Sequence, residues 1–170
     1  LRTSYTYNGL GDVLSQTSPD TGTTTYAYDT AGRLASLTRA NGAVTNFTWD
    51  ALDRMTSRSA GGVTETFTYD DGPYGKGRLT RINDATGQTS FEYSAAGELI
   101  RQVNTIYGQS YVTSWSYDSG GRLSGMTYPS GLALAYGYDG YGRLSSLTSN
   151  LAGTWATLAR ARASRPLLRA

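Results

Sequence analysis

Acidic and basic side chains recur along this chain at a fixed spacing: Asp29 with Arg33, Asp118 with Arg122 and Asp139 with Arg143 stand four residues apart. Carboxylate and guanidinium groups so placed could act as acid and base, or form a ladder for sugar hydroxyls. A catalytic site needs one tuned constellation, whereas these groups come in equivalent copies. Repetition therefore points to turn formation with a cross-strand pair, which when exposed contributes about 0–1 kcal/mol. Asp70 beside Asp71, and Asp50 near Asp53, have the composition of a glycosidase pair, but both fall among turn-forming residues. Calcium wants several clustered oxygens, and one Asp per repeat does not supply them. The glycines of GPYGKGR at 72–78 lack the spacing of a phosphate loop and the Ser or Thr after Lys76. The chain has no Cys and no His. That removes disulfides, thiolate nucleophiles, imidazole bases and Cys/His metal sites. No catalytic, metal or cofactor-binding residue is assigned, and no cofactor is implied.

The elements that position these charges are set by a repeat whose clearest copy is YAYDTAGRLASLT at 26–38. Its skeleton is aromatic, any, aromatic, Asp, two free residues, Gly, Arg, Leu. The second aromatic falls at Tyr7, Tyr28, Trp49, Tyr69, Tyr93, Tyr117 and Tyr138, at intervals of 21, 21, 20, 24, 24 and 21 residues by subtraction. A fixed period in the twenties is the mark of a repeat architecture. The first aromatics are Tyr5, Tyr26, Phe47, Phe67, Phe91, Trp115 and Tyr136. Two residues apart on a strand, both rings of a pair point to one face.

The turn follows the rings. Asp at its first position accepts from the backbone two residues on. Gly at the fourth, as at Gly32, Gly121 and Gly142, suits a type I turn closed by a left-handed residue. Asp53 replaces that glycine once, and Asp tolerates the conformation better than most residues. This register sets Asp29 opposite Arg33 and Tyr28 opposite Leu34. The Leu34 position is apolar in the other copies: Val13, Met55, Leu79, Leu99, Leu123 and Leu144. These residues and the paired rings are the expected core. Three residues on, strand alternation assigns the mixed set Gln16, Leu37, Arg58, Ile82, Gln102, Met126 and Leu147 to the opposite face.

The expected organisation is seven hairpin repeats over 1–150, giving fourteen short strands, then a tail over 151–170. DDGPYGKG at 70–77 lengthens one first turn, and NTIYGQS at 104–110 lengthens one second turn. The paired rings stop after the seventh copy. WATLARARA at 155–163 has good helix formers, so the tail is expected to be a short helix or disordered. Residues 1–150 carry 11 basic and 13 acidic side chains, and the tail adds Arg160, Arg162, Arg165 and Arg169 without an acid. The body thus has no basic footprint for nucleic acid. No run of eighteen apolar residues is present, so no membrane span is expected. The start has no signal-peptide pattern, and the chain reads as a fragment of a longer product. Fourteen rings would expose on the order of 2,000–3,500 Å² if uncovered, far beyond the apolar patches monomers show. The sheet is therefore expected to roll around its own rings or to be covered by other sequence. With unpaired strand edges at both ends, poor solubility in isolation is expected.

The unit resembles the YD repeat of rearrangement-hotspot (Rhs) proteins, toxin-complex C components, wall-associated proteins and teneurins. YAYDTAGRLASLT, WSYDSGGRLSGMT and YGYDGYGRLSSLT carry the resemblance, which covers about residues 5–149. It implies an all-β chain of antiparallel β-hairpins forming a curled or spiralling strip, a segment of a hollow shell. It further implies a secreted or cell-surface location and, as partners, flanking repeats of the same larger protein and an enclosed toxin domain. The DPxGL stretch linked in the family to aspartyl self-cleavage is absent from these residues, so no protease residues are carried over. Carbohydrate binding, which the family implies as well, is the alternative reading to a non-catalytic shell segment.

Overall fold

The computed structural model describes residues 2–151 and the strand at 156–160. The chain divides into two compact units, one of Leu1–Asp71 with Gly77–Gln88, the other of Gly72–Lys76 with the chain from Thr89 onward. The first unit holds β1 (Ser4–Tyr7), β2 (Val13–Ser18), β3 (Gly22–Tyr28), β4 (Leu34–Thr38), β5 (Val44–Trp49), β6 (Met55–Ala60), β7 (Val63–Tyr69) and β8 (Leu79–Asn83). The second holds most of β9 (Gly87–Tyr93), then β10 (Leu99–Ile106), β11 (Gln109–Tyr117), β12 (Leu123–Thr127), β13 (Ala133–Tyr138), β14 (Leu144–Ser149) and β15 (Ala156–Arg160). In each unit the strands lie side by side in chain order. The fold is all-β, a succession of antiparallel hairpins, with no α-helix among the described residues.

The Asp-x-x-Gly turn forms as its residues dictate. The amide of Asp29 donates to the Arg33 carbonyl at 2.8 Å, and that of Gly32 donates to the Asp29 carbonyl at 3.0 Å. Gly32 sits at φ +79°, and Asp53, which replaces it in the third copy, sits at +59°. A left-handed residue here lets a type I turn close without splaying the strands. The lengthened turn keeps the same closure, since the amide of Asp70 donates to the Arg78 carbonyl at 3.1 Å.

The register beyond the turn corrects the face assignment. Tyr28 pairs with Leu34 as expected, but Ala27 then pairs with Ser36, leaving Ala35 as the extra residue of a β-bulge. A bulge shifts the alternation of faces by one residue. Leu37 therefore lies opposite Tyr26, on the ring face. The same holds for Gln16 opposite Tyr5, Arg58 opposite Phe47, Ile82 opposite Phe67, Met126 opposite Trp115 and Leu147 opposite Tyr136. The mixed set belongs with the rings, so the ring face includes polar and charged positions. The other face is rich in hydroxyls, such as Thr6 against Ser15 at 2.6 Å and Thr48 against Ser57 at 2.7 Å.

Burial corrects a second expectation. No hydrophobic side chain is buried among the described residues. Most of the rings and their apolar partners are half-buried, shielded by neighbours on the same face. Tyr5 at 48% exposure, Tyr7 at 56% and Leu144 at 49% are more open, and they lie in the first and last ring-bearing copies. The side chains that are buried are polar: Thr45, Thr80 and Ser149.

The short helix expected over 155–163 does not form at Ala156–Arg160, which is β15, antiparallel to β14 with Leu147 opposite Ala159. Helix propensity is a weak preference, and a strand edge offers a row of unpaired donors and acceptors. The remainder of the 155–163 segment, and the rest of the tail to 170, lie outside the described residues.

Candidate functional site

The chemistry-bearing side chains gather at the Asp-x-x-Gly turns. One oxygen of Asp29 accepts from the amides of Ala31 and Arg33, both at 2.9 Å. The other accepts from the Arg33 guanidinium, at 2.8 Å from Nε. Asp50, Asp118 and Asp139 repeat this clamp with Arg54, Arg122 and Arg143. Each carboxylate serves both as turn former and as counter-ion. Backbone donation is the first cause holding these four carboxyls below their usual range, seconded by the arginine side chain.

Two copies keep the clamp with other chemistry. In the first, the Asn8 amide group donates to Asp12 at 2.8 Å, while its oxygen accepts from the amides of Leu10 and Asp12. In the fifth, the Ser94 hydroxyl donates to Glu98 at 2.8 Å. Donor and acceptor have exchanged places while the cross-turn bond persists. The deviations at Asn8, Ser94 and Glu98 are thus compensated substitutions.

The arginines also link one repeat to the next. Arg33 donates to the Asp50 carbonyl at 2.6 Å and to the Asp53 carboxylate at 2.9 Å. Arg54 grips Asp70 with two nitrogens, at 3.0 and 2.6 Å. Asp70 and then Asp50 raise the Arg54 pKa, just as Asp29 and then Asp53 raise that of Arg33. The guanidinium carbon of Arg54 lies 4.4 Å from the Tyr69 ring centre, and that of Arg122 lies 4.6 Å from that of Tyr138. Such stacking favours Arg over Lys. The pairs Asp50/Asp53 and Asp70/Asp71 are held by this network, with Asp71 salt-bridged to Arg81 at 3.2 Å. No group of three metal-ligating side chains occurs among the described residues.

A second link lies on the ring face. The Tyr28 hydroxyl donates to the Val13 carbonyl at 2.9 Å, fifteen residues back. The Trp49 indole does the same to Leu34 at 2.9 Å, Tyr69 to Met55 at 2.9 Å, Tyr117 to Leu99 at 3.0 Å and Tyr138 to Leu123 at 2.8 Å. The ladder to the next repeat begins two residues past the apolar position, at Ser15–Thr25, Ser36–Asn46, Ser57–Thr66 and Gly125–Ala135. The ring reaches across that gap and satisfies a carbonyl the ladder leaves. Sequence reasoning missed this bond, although its signal is present. The second aromatic is Tyr or Trp in all seven copies, while the first includes Phe47, Phe67 and Phe91. Only a ring with a polar handle can donate.

An open groove of about 310 Å³ lies on the first unit's ring face, lined by Leu37, Thr45, Phe47 and the paired Arg58 and Glu65 among others. The Arg58–Glu65 contact is 2.7 Å.

The family profile of the teneurin YD-shell matches residues 1–154, and the chain belongs to that family. Among solved structures, the fold is similar to one described as TcdB2-TccC3, with a TM-score of 0.78 and 20% identity over 91% of this chain. It is also similar to TcdB2-TccC3 without its hypervariable C-terminal region, at 0.79 and 19% over 94% of this chain. A third is the Photorhabdus luminescens Tc holotoxin pore, at 0.71 and 21% over 91% of this chain. This chain spans 9% of the length of each of those chains. No curated protein sequence matches it.

Proposed function

We propose that this chain is a non-catalytic structural segment of a larger YD shell, whose partners are flanking repeats of the same polypeptide. The observation that carries this reading is the pair of inter-repeat links, arginine across the turns and a ring hydroxyl or indole to a main-chain carbonyl. Arginines tie the second copy to the third and the third to the fourth, rings tie neighbouring copies at five junctions, and the polar groups that make these links are thereby engaged in holding the fold. The half-buried rings support the same conclusion, since a ring face of this kind suits the inner wall of an enclosure. On this reading the enclosed body is a toxin domain, and the protein works outside the cell that makes it. Electron microscopy of the full-length protein tests the proposal. A closed hollow particle is expected, and an extended or solid particle would refute it.

A second reading, carbohydrate binding, draws on the open groove where half-buried Phe47 lies among polar side chains. A glycan array on the full-length protein, with a signal lost in Phe47→Ser, tests it.

A further inference from the structure

Counted from Asp29 as the first position of its turn, Gly32 stands at the fourth and Arg33 at the fifth. Among the described residues, Asp53, Asp70, Tyr74 and Tyr107 have positive φ without being Gly. The two acids of that set, at +59° and +66°, are the ones that an arginine of the preceding copy reaches. Arg33 donates to the Asp53 carboxylate at 2.9 Å, and Arg54 grips Asp70, which opens the lengthened turn, at 3.0 and 2.6 Å. Gly would adopt either conformation at lower steric cost. An acid is thus kept where Gly is easier, and its charge answers the arginine behind it.

Two joints with Gly at the fourth position show the same approach. A Cβ added to Gly142 would stand 3.1 Å from Nη1 of Arg122, the fifth-position residue of the copy before. A Cβ added to Gly121 would stand 3.4 Å from Oε1 of Glu98, which holds the fifth position in its own copy. The other oxygen of Glu98 accepts from the Ser94 hydroxyl at 2.8 Å, so Oε1 is the one turned to the next repeat. The tip of the fifth-position side chain therefore meets the fourth position of the following turn whichever charge it carries. Gly142 and Gly121 sit at nearly equal φ, +77° and +74°. Backbone strain is matched at the two sites, and the facing charge is opposite.

We propose that the fifth-position side chain of each turn reads the fourth position of the next, and that this pair decides which repeat can follow which. The surface is the turn tip, and its partner is the neighbouring hairpin of the array. Arginine accepts a follower that bears Asp, as at Asp53, and Glu98 excludes one. The strand ladder and the ring-to-carbonyl bond use main-chain groups that all copies share, so they do not tell one neighbour from another. Discrimination needs a repulsive element beside the attractive one, and the exchange of Arg for Glu at Glu98 supplies it. This neighbour choice belongs to the joints themselves and goes beyond the shell reading.

Hydrogen exchange of the intact full-length protein tests this at the amides of Asp139 and Asp118. These close the two turns by donating to the Arg143 and Arg122 carbonyls, both at 2.9 Å. The variants are Gly142→Asp and Gly142→Asn at one joint, Gly121→Asp and Gly121→Asn at the other. Asn has the shape of Asp and also tolerates the left-handed conformation, so the Asp-to-Asn ratio of opening isolates the charge at each site. From the strength of exposed charge pairs, that ratio is expected to be lower at position 142 than at position 121 by about 2–25-fold. The gap should narrow in about 1 M salt, where screening reaches down to about 3 Å. Adding Glu98→Gln to Gly121→Asp should reduce opening, since the Ser94 bond is kept and the repulsion is removed. Equal ratios, a reversed order, a gap that salt leaves unchanged or no effect of Glu98→Gln would each overturn the proposal. Particle imaging reads shell closure separately, so a failed pairing rule and a failed shell give different results.

Discussion

Replacing Tyr138 by Phe removes a single oxygen, the donor to the Leu123 carbonyl at 2.8 Å. The Arg122 guanidinium over the ring at 4.6 Å has no need of that oxygen. Packing and stacking are therefore preserved, and the change isolates one hydrogen bond between repeats. Such a bond contributes about 0.5–1.5 kcal/mol net. With 1.4 kcal/mol per factor of ten, local opening rises about 2–12-fold. Hydrogen exchange of the intact protein, followed in peptides covering β12 and β13, reads that opening. The control is Tyr26→Phe, whose hydroxyl reaches Gln16 only at a long 3.4 Å. It is expected to leave exchange within about twofold of wild type, since an interaction so long is weak. If Tyr138→Phe also stays within that range, the ring hydroxyl is not a link between repeats and the reasoning fails.

Other outcomes follow from the same geometry. Gly32→Ala places a Cβ in open space but at φ +79°, so thermal unfolding should report a loss of about 1–2 kcal/mol from backbone strain alone. Ser94→Asp should destabilise by facing Glu98 with a second carboxylate, and adding Glu98→Arg should recover stability by rebuilding the Asp–Arg clamp. A double-mutant cycle in denaturant that showed simple additivity would refute the donor–acceptor exchange. Asp29, Asp50, Asp118 and Asp139 have folded pKa values below their ordinary ones. Their contribution is therefore present above the unfolded carboxylate value of about 3.9 and is lost as pH falls through the lower folded values. The acid limb of a pH–stability profile should be shallower in Asp50→Asn, and an unchanged limb would remove Asp50 from the linkage.

The hairpin plan was legible because each local signal agreed with the next: ring spacing gave the strand, Asp and Gly gave the turn, and the turn gave Tyr28 opposite Leu34. Three features were not. Ala35 has nothing in its residue type to mark a bulge, so plain strand alternation exchanges the faces beyond it and sets Leu37 on the wrong side. The fate of Ala156–Arg160 depends on the free edge of β14, a non-local fact that local helix preference does not contain. The ring-to-carbonyl bonds were written in the choice of Tyr or Trp over Phe, but their acceptor is a backbone atom with no sequence signature. The turn clamp was half legible. The spacing alone shows Asp29 paired with Arg33, whereas the bonds Asn8–Asp12 and Ser94–Glu98 do not show in it, because donor and acceptor have changed places there.

The acceptor of each ring is a peptide oxygen, and that has an evolutionary corollary. Every residue type offers the same oxygen, so this bond needs no matching mutation next door when a unit is copied, deleted or moved along the gene, unlike the Arg54–Asp70 pair. Val13, Leu34, Met55, Leu99 and Leu123 all receive the bond despite their different side chains. To the extent that junctions rely on this bond, an array can change its length by recombination while its sequence drifts.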